Sequence, residues 1–245
     1  MSKKIIAIGG GALHSKNLII EKEIIRQTGK KKPNALFIPT ASNDEIKYCN
    51  LFKQVFKNRL GCNTDELLLI RENPSVNEIK HKIAKADLIF VGGGNTLMMV
   101  KKWQHLKVDE MLKQAWKSGT VLCGSSAGAL CWFNYGHSDS WFYYKFKNPK
   151  FIRVKCLGFI NTLFCPHFHG EKRVKSYENM ILKYGKSGLA LDDHCAIEII
   201  DAKYRIIKGN KEAKAFQLVK KDGKIITYEI AAKNTFTALN ALINN

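Results

Sequence analysis

Five small residues in the middle of the chain, Gly124-Ser125-Ser126-Ala127-Gly128, have the composition of a turn that presents a nucleophile. An apolar run over 120–123 precedes them, and a stretch with helical character follows. A serine at the apex of such a turn extends its hydroxyl from the sheet edge, while the next amide, that of Ala127, points into the same space. Because the same pattern also occurs in ordinary small-residue turns, the prediction of a Ser126 nucleophile depends on its strand-turn-helix context.

A serine nucleophile needs a base to take its proton, and the chain contains 7 histidines. His81 and His105 lie in lysine-rich helical stretches and are expected to face solvent. His167 follows a short apolar run and Pro166, which suits a residue held at a strand end. His169 lies two residues further on, where strand alternation would turn it to the same side. Spacing therefore leaves both His167 and His169 as candidates for the base.

The base in turn needs an orienting carboxylate. Asp139, in a polar turn that follows the Ser126 helix, is the favoured candidate. Asp192 and Asp193, directly before His194, are the rival acids. The structural alternative is that Asp139 only closes a polar turn.

Glycines mark two further turns. Gly92-Gly93-Gly94-Asn95 follow the apolar run 87–91 and precede a helical stretch, so their amides are placed to hold a phosphate or complete an oxyanion hole. Neither G-x-x-x-x-G-K-[ST] nor a G-x-G-x-x-G helix entry is present. The alternative is a close crossing between strand and helix, and it applies more strongly to Gly9-Gly10-Gly11.

These turns need a scaffold that brings them together. Short β-branched runs alternate with amphipathic stretches in the first half of the chain, which is typical of βαβ units around a parallel sheet. The predicted strands are 4–8, 34–39, 65–70, 87–91 and 120–124. The predicted helices between them are 18–26, 45–58, 76–84 and 97–117. Each strand ends in small residues, so the glycine turns, Pro39-Thr40-Ala41-Ser42 and the Ser126 turn are expected at the carboxyl edge of one sheet, where such folds bind ligands.

Beyond about residue 150 the alternation weakens. Strands are predicted at 151–156 and 162–165, a helix at 171–184, and short strands over 189–230 joined by Gly209-Asn210 and Asp222-Gly223 turns. No linker or repeat interrupts the chain, so one domain over 1–245 is expected, with the last strands extending the same sheet.

Composition limits the function classes. The net charge of +19 suits nucleic acid, but the lysines are spread evenly, the longest run is Lys30-Lys31-Lys32, and no nucleic-acid-binding motif accompanies them. We therefore expect no nucleic-acid partner, although the charge favours acidic substrates. No apolar stretch is long enough for a membrane helix, and 7 scattered cysteines suggest neither disulfides nor a zinc site. These features predict a cytoplasmic protein without a membrane partner.

Four blocks of sequence resemble the peptidase E or aspartyl dipeptidase family of serine peptidases, which includes cyanophycinases. The resemblance runs from Ile5 to about Ile200. The blocks are Val91-Gly92-Gly93-Gly94-Asn95-Thr96, Gly124-Ser125-Ser126-Ala127-Gly128-Ala129, Cys165-Pro166-His167-Phe168 and Gly170-Glu171-Lys172-Arg173. The first two, in this order and with α/β alternation between them, form the specific part of the signal.

The resemblance implies a three-layer α/β/α sandwich with a mostly parallel sheet, similar to class I glutamine amidotransferases, with extra C-terminal strands. It implies a dipeptidase or exopeptidase in which Ser126 is the nucleophile, His167 the base and Asp139 the acid. The amides of Gly94 and Ala127 would form the oxyanion hole, and no metal or cofactor would be needed.

The resemblance also implies how a small peptide would bind. Asn95 and Arg173 would contact the substrate, Arg173 by pairing with an acidic first residue. The protein would be a monomer or homodimer. The segment 130–141 is more aromatic and shorter than the family pattern, which weakens the assignment of Asp139 more than that of Ser126. The loop between His167 and Arg173 is also short, which weakens the acidic preference.

Three alternatives from other classes remain. An α/β-hydrolase esterase or amidase shares the serine turn but places its acid and histidine much further downstream. A glutamine amidotransferase would have cysteine at position 126. A non-catalytic protein that binds small ligands at the same sheet edge would keep Ser126 and His167 beyond hydrogen-bond reach.

Overall fold

The structure is a computed structural model that describes residues 1–170 and 172–243. Its strands are β1 (Lys4–Ile8), β2 (Asn34–Ile38), β3 (Asn63–Glu66), β4 (Leu88–Val91), β5 (Val121–Ser125), β6 (Phe133–Ser138), β7 (Ile152–Lys155), β8 (Ile160–Cys165), β9 (Ser187–Leu191), β10 (Cys195–Ile200), β11 (Lys203–Lys208), β12 (Ala215–Lys221), β13 (Lys224–Glu229) and β14 (Thr237–Ala238).

The α-helices are α1 (Ile19–Thr28), α2 (Ile46–Phe52), α3 (Val76–Lys85), α4 (Thr96–Leu106), α5 (Val108–Lys117), α6 (Ala127–Leu130), α7 (Arg173–Tyr184) and α8 (Asn240–Ile243). A π-helical segment, Lys53–Arg59, continues α2, and short 3₁₀ helices cover Thr40–Ser42 and Ser140–Tyr143.

The first sheet has the strand order β14-β11-β10-β1-β5-β4-β2-β3. Strands β1 to β5 are parallel within it, whereas β10 pairs antiparallel with β1. The inner strands β4 and β5 are buried along their whole length, as strands covered on both faces are, whereas the edge strand β3 is polar and partly exposed. In β1, Ile5 and Ala7 face one core, and Ile6 and Ile8 face the other.

Helices cover both faces of this sheet. On one side α1 and α2 bury Ile20, Ile24 and Phe52; on the other, α3 to α6 contribute residues such as Ile79 and Leu112. The carboxyl ends of the parallel strands lie at the same edge of the sheet. The predicted convergence of the glycine turns and the serine turn at this edge is therefore confirmed.

The second sheet departs from the expectation that the C-terminal strands extend the first. Its order is β13-β12-β9-β8-β6-β7. One face shares the core of α3 to α6, and the other packs against α7. Among the C-terminal strands of the described residues, only β10, β11 and β14 join the first sheet. The reason is the position of β6, which follows the short helix α6 and pairs in parallel with β8. Strand β8 in turn pairs with β9, so a second sheet forms around β6 and β8.

The predicted elements differ from the structure in smaller ways. The expected helix 97–117 is two helices, because Lys107 has a left-handed φ of 59° that ends α4. The strand expected at 65–70 lies at Asn63–Glu66 instead. The helix expected over 171–184 begins at Arg173, and its predicted first residue, Glu171, lies outside the described residues. Across the described chain, no helix combines the length and hydropathy needed to span a membrane.

Candidate active site

Ser126 lies at the apex of a strained turn between β5 and α6. Its φ of 55° and ψ of −114° are unusual for a residue with a side chain, and such strain is typical of functional turns. A Cβ at Gly124 would overlap the backbone of Gly128, and a Cβ at Gly128 would overlap Val91. The two glycines therefore allow the close strand-helix approach that extends the Ser126 hydroxyl from the sheet edge.

His167 lies within hydrogen-bonding distance of that hydroxyl. Its Nε2 is 2.8 Å from Ser126 Oγ, and its Nδ1 is 2.5 Å from Asp193 Oδ1. The three side chains thus form a continuous Ser-His-Asp chain of hydrogen bonds, which we call the reaction centre. This arrangement can withdraw a proton from the serine and stabilise the resulting imidazolium.

Asp193 completes the reaction centre, although the sequence favoured Asp139 and gave Asp193 only as an alternative acid. The hydrogen bond from His167 holds the pKa of Asp193 below its usual value, and the charges of His167, His194 and Arg173 act in the same direction. Partial burial opposes this shift without cancelling it. Asp193 is therefore ionised at neutral pH, as an acid that orients an imidazole must be.

The chain at the end of β1 holds Ser126, His167 and His194 through backbone hydrogen bonds. Successive carbonyls of Ile8, Gly9 and Gly10 accept hydrogen bonds from the amides of Ser126 at 3.1 Å, His167 at 3.2 Å and His194 at 2.9 Å. One short segment thus positions the serine, the histidine and the turn that carries Asp193. Sequence reasoning missed this role, although three consecutive glycines at a strand end were its signal.

Gly10 also lies directly against the reaction centre. A Cβ added at this position would overlap both the Asp193 carboxylate and the His167 ring. A side chain here would therefore push the acid away from the histidine. This close approach of ring and carboxylate to the backbone explains why glycine occupies the position.

The second glycine turn borders Ser126 as expected. A Cβ on Gly93 would lie 3.3 Å from Ser126 Cβ, and the Gly93 amide donates to the Tyr48 hydroxyl at 3.2 Å. Gly94 has a φ of 132° and packs so tightly on Ala41 that a Cβ would overlap its carbonyl. Within the described residues no acceptor takes the Gly94 amide, which leaves it able to donate to a ligand.

Asn95, expected to contact substrate, is buried and caps a helix. Its amide donates to the Ala41 carbonyl at 2.8 Å, and its side-chain oxygen accepts from the Met98 amide at 3.1 Å. These contacts hold the beginning of α4 against the glycine turn. Asn95 therefore supports the turn, and its expected contact with substrate stays a prediction.

Asp139, the favoured acid, lies elsewhere. Its carboxylate pairs with Arg173, whose Nη2 is 3.2 Å away, while His167 Nδ1 is already bonded to Asp193. The expectation of a Ser126-His167-Asp139 set is therefore not what the structure brings together. The physical reason is topological: the strand β6 carries Asp139 to the second sheet, whereas the turn between β9 and β10 brings Asp193 back beside β1.

Arg173, expected to bind an acidic substrate group, is only 1% exposed. Besides Asp139 it donates to the His137 carbonyl at 3.2 Å, and its guanidinium lies 4.8 Å from the centre of the Phe151 ring. Its charge is thus engaged inside the protein. Arg173 acts on the reaction centre from a distance, by helping to lower the pKa of Asp193.

A second histidine-aspartate pair lies beside the first. The Asp192 carboxylate accepts from the His169 amide at 3.1 Å and contacts its ring nitrogen Nδ1 at 2.9 Å. The pair ties the turn that carries His167 to the turn that carries Asp193. His169, the alternative base, is therefore bonded to a different acid, and the structure brings His167 to Ser126. No group of three His, Cys, Asp or Glu side chains within 1–170 and 172–243 is arranged to hold a metal ion.

Comparison with known proteins identifies the family. The sequence profile of peptidase family S51 matches residues 5–207. The chain belongs to peptidase family S51. Its relatives include the uncharacterized peptidase YgaJ of Bacillus subtilis (strain 168), 35% identical over 236 residues that cover 94% of this chain and 98% of YgaJ. The uncharacterized peptidase PM1590 of Pasteurella multocida (strain Pm70) is 28% identical over a region that covers 71% of this chain and 84% of PM1590.

Solved structures show the same fold. A peptidase from an acI-B1 Actinobacterium superposes with a TM-score of 0.74 at 20% identity, covering 97% of both chains. A putative peptidase E protein from Listeria monocytogenes EGD-e superposes with a TM-score of 0.60 at 19% identity, over 94% of this chain and all of the other. The resemblance inferred from the sequence is thereby confirmed, as is the mixed α/β fold.

Proposed function

We propose that this family S51 chain is a serine peptidase that hydrolyses short peptides through an acyl-enzyme on Ser126. The observation that carries the proposal is the hydrogen-bond chain from Ser126 Oγ through His167 to Asp193. It joins a nucleophile, a base and an ionised acid at the carboxyl edge of the first sheet.

In the first half of the reaction His167 Nε2 takes the Ser126 proton as the hydroxyl oxygen attacks the peptide carbonyl. Asp193 holds the imidazole with Nε2 facing the serine and stabilises the imidazolium. The negative charge on the carbonyl oxygen would be held by the amides of Gly94 and Ala127. The imidazolium then gives its proton to the leaving amine, and the peptide bond breaks.

In the second half a water molecule replaces the amine. His167 takes a proton from the water, which attacks the acyl carbon, and then returns that proton to Ser126 Oγ as the acyl group leaves. The same three residues therefore serve both halves. Asp193 occupies the role that the sequence assigned to Asp139.

The resemblance assigned recognition of an acidic first residue to Arg173. Because Arg173 is buried against Asp139, its contacts lend that preference no support. The proposal therefore covers short peptides as a class. An esterase or amidase would use the same hydrogen-bond chain and is distinguished by its substrates.

The test replaces Ser126 by alanine and compares it with Ser125→Ala, a matched control one residue away in the same turn. We expect Ser126→Ala to lower kcat on short peptides by about 10⁴-fold or more, because the nucleophile is lost. It should also abolish labelling by a fluorophosphonate. Ser125→Ala should keep most of both activities.

Peptide turnover by Ser126→Ala at the wild-type rate would contradict the proposal. Labelling of Ser126 together with hydrolysis of esters but of no peptide would replace the peptidase by an esterase.

A further inference from the structure

An open cavity with aromatic walls lies between the 3₁₀ helix Ser140–Tyr143 and the beginning of α7. Its volume is about 460 Å³, and its lining residues are Asp139, Phe142, Tyr143, Phe151 and Lys172. We call it the aromatic pocket. Sites for small ligands commonly have volumes of about 300 to 1,000 Å³, apolar walls and a few polar groups, and the aromatic pocket matches this description.

The inner wall of the pocket is fixed by the protein interior. Phe151 stacks on the buried His137 ring at 4.6 Å and lies under the Arg173 guanidinium at 4.8 Å. Its ring also contacts Phe142, with centroids 5.2 Å apart. An incoming side chain would therefore meet an aromatic surface that is already held in place.

The outer wall is formed by the short 3₁₀ helix Ser140–Tyr143. Phe142 is 50% exposed and Tyr143 55% exposed, and the following Tyr144 and Phe146 are exposed as well. A run of exposed aromatic side chains is a costly feature in water and is typical of a surface that binds something.

Two hydrogen bonds and one ion pair link the segments around the aromatic pocket to the segments around the reaction centre. Ser140 Oγ accepts a hydrogen bond at 2.9 Å from the Leu97 amide, at the beginning of the helix that follows the glycine turn. On the other side, the Gly170 amide donates to the His167 carbonyl at 2.9 Å, and Lys172 follows shortly after. Arg173 contacts Asp139 and also lowers the pKa of Asp193. The pocket therefore lies between the glycine turn and the turn that carries His167.

The charges of the lining show what the pocket can accept. Asp139 and Arg173 neutralise one another, so the floor offers no unpaired positive charge to an acidic side chain. Lys172 is exposed at the rim and supplies a positive charge there. The aromatic walls suit an aromatic side chain of a peptide, and the cation at the rim suits a nearby carboxylate of the same peptide.

We infer that the aromatic pocket gives the enzyme a preference for peptides with an aromatic residue beside the scissile bond, with Lys172 meeting a peptide carboxylate. The inference rests on the proposed peptidase function. It predicts a selectivity opposite to the acidic preference expected from the resemblance.

The kinetic test uses dipeptides and tripeptides in which phenylalanine, leucine or aspartate occupies each position in turn. We expect kcat/KM for the best phenylalanine peptide to exceed that for the matched aspartate peptide by about tenfold or more, as filling an apolar pocket does elsewhere. Phe142→Ala should lower kcat/KM for phenylalanine peptides by about tenfold and leave aspartate peptides nearly unchanged.

Phe146→Ala is the matched control. Phe146 lies in the same segment, is 51% exposed like Phe142, and packs on Trp141 rather than lining the aromatic pocket. Its replacement should change no peptide preference. Both variants should react with a small fluorophosphonate at the wild-type rate, since that reagent does not need the pocket.

Binding to the inactive Ser126→Ala variant separates this inference from the proposed function. Calorimetric binding of phenylalanine peptides, weakened when Phe142→Ala is added, would support the pocket even if no peptide is hydrolysed. A preference for aspartate peptides in either assay, or equal effects of Phe142→Ala and Phe146→Ala, would overturn the inference. The serine mechanism would still be tested separately by fluorophosphonate labelling.

Discussion

Different interactions hold the reaction centre and the aromatic pocket in place. Ser126 and His167 are anchored by backbone carbonyls at the end of β1, and Gly10 packs against His167 and Asp193 without room for a side chain. The pocket is formed by side chains, and its outer wall is half exposed to solvent.

This difference separates the chemistry from the selectivity. Backbone hydrogen bonds do not depend on side-chain type, so the anchoring of Ser126 and His167 at the end of β1 needs no particular side chain there. Exposed aromatic residues can be replaced at little cost to folding, because they bury little surface in the native state. The pocket is therefore the region where substrate preference can change while the reaction is kept.

The largest effect that sharpens this comparison is expected at Gly10. Gly10→Ala places a methyl group where the Asp193 carboxylate and the His167 ring lie, so it should lower kcat by about 10²-fold or more through displacement of the acid. Steady-state kinetics on a short peptide and the rate of fluorophosphonate labelling should fall together.

Gly185→Ala is the control for Gly10→Ala. A Cβ at Gly185 meets its nearest neighbour, the Ser187 carbonyl oxygen, at an ordinary 3.5 Å, and the residue has an extended φ of −131°. This variant should keep wild-type kinetics. Equal activity of both glycine variants would mean that β1 does not position the reaction centre.

The smaller expected effect concerns the stability of the protein at acid pH and depends on His137, which stacks on the pocket residue Phe151. Burial, helped by the charge of Arg173, lowers the pKa of His137 from 6.5 to about 3. Between these values the unfolded chain binds a proton that the folded protein does not. The stability associated with neutral His137 is therefore complete above about pH 6.5 and is lost as the pH falls towards 3.

His137→Gln should flatten the pH dependence of the free energy of unfolding in that window, by at most about 1.4 kcal/mol per pH unit. Urea unfolding at several pH values measures this slope. His81→Gln, at an exposed position on α3, should leave the slope as in the wild type. An unchanged slope in His137→Gln would show that the buried His137 ring does not contribute to the pH dependence of the free energy of unfolding.

The sequence predicted the parts of the site that depend on local pattern. A strand, a small-residue turn and a helix define the Ser126 turn, and the apolar runs that end in glycines define the shared edge. Spacing could not choose between His167 and His169, whereas the family resemblance favoured the one that contacts Ser126 in the structure.

The acid was beyond local pattern because it depends on pairing between distant segments. Asp139 is close to Ser126 along the chain, but β6 carries it into the second sheet. Asp193 is far along the chain, and the antiparallel pairing of β10 with β1 returns it to His167. The split into two sheets, which the sequence did not indicate, therefore decides which carboxylate completes the reaction centre.

The measurement that tests the central claim most directly compares the three acids. Asp193→Asn, Asp192→Asn and Asp139→Asn are each assayed for peptide turnover and for fluorophosphonate labelling of Ser126, with circular dichroism confirming the fold. We expect Asp193→Asn to lower kcat by about 10⁴-fold, as loss of the triad acid does in a known serine peptidase, and the other two variants to lose far less. A loss of that size in Asp139→Asn, with Asp193→Asn still active, would contradict the account.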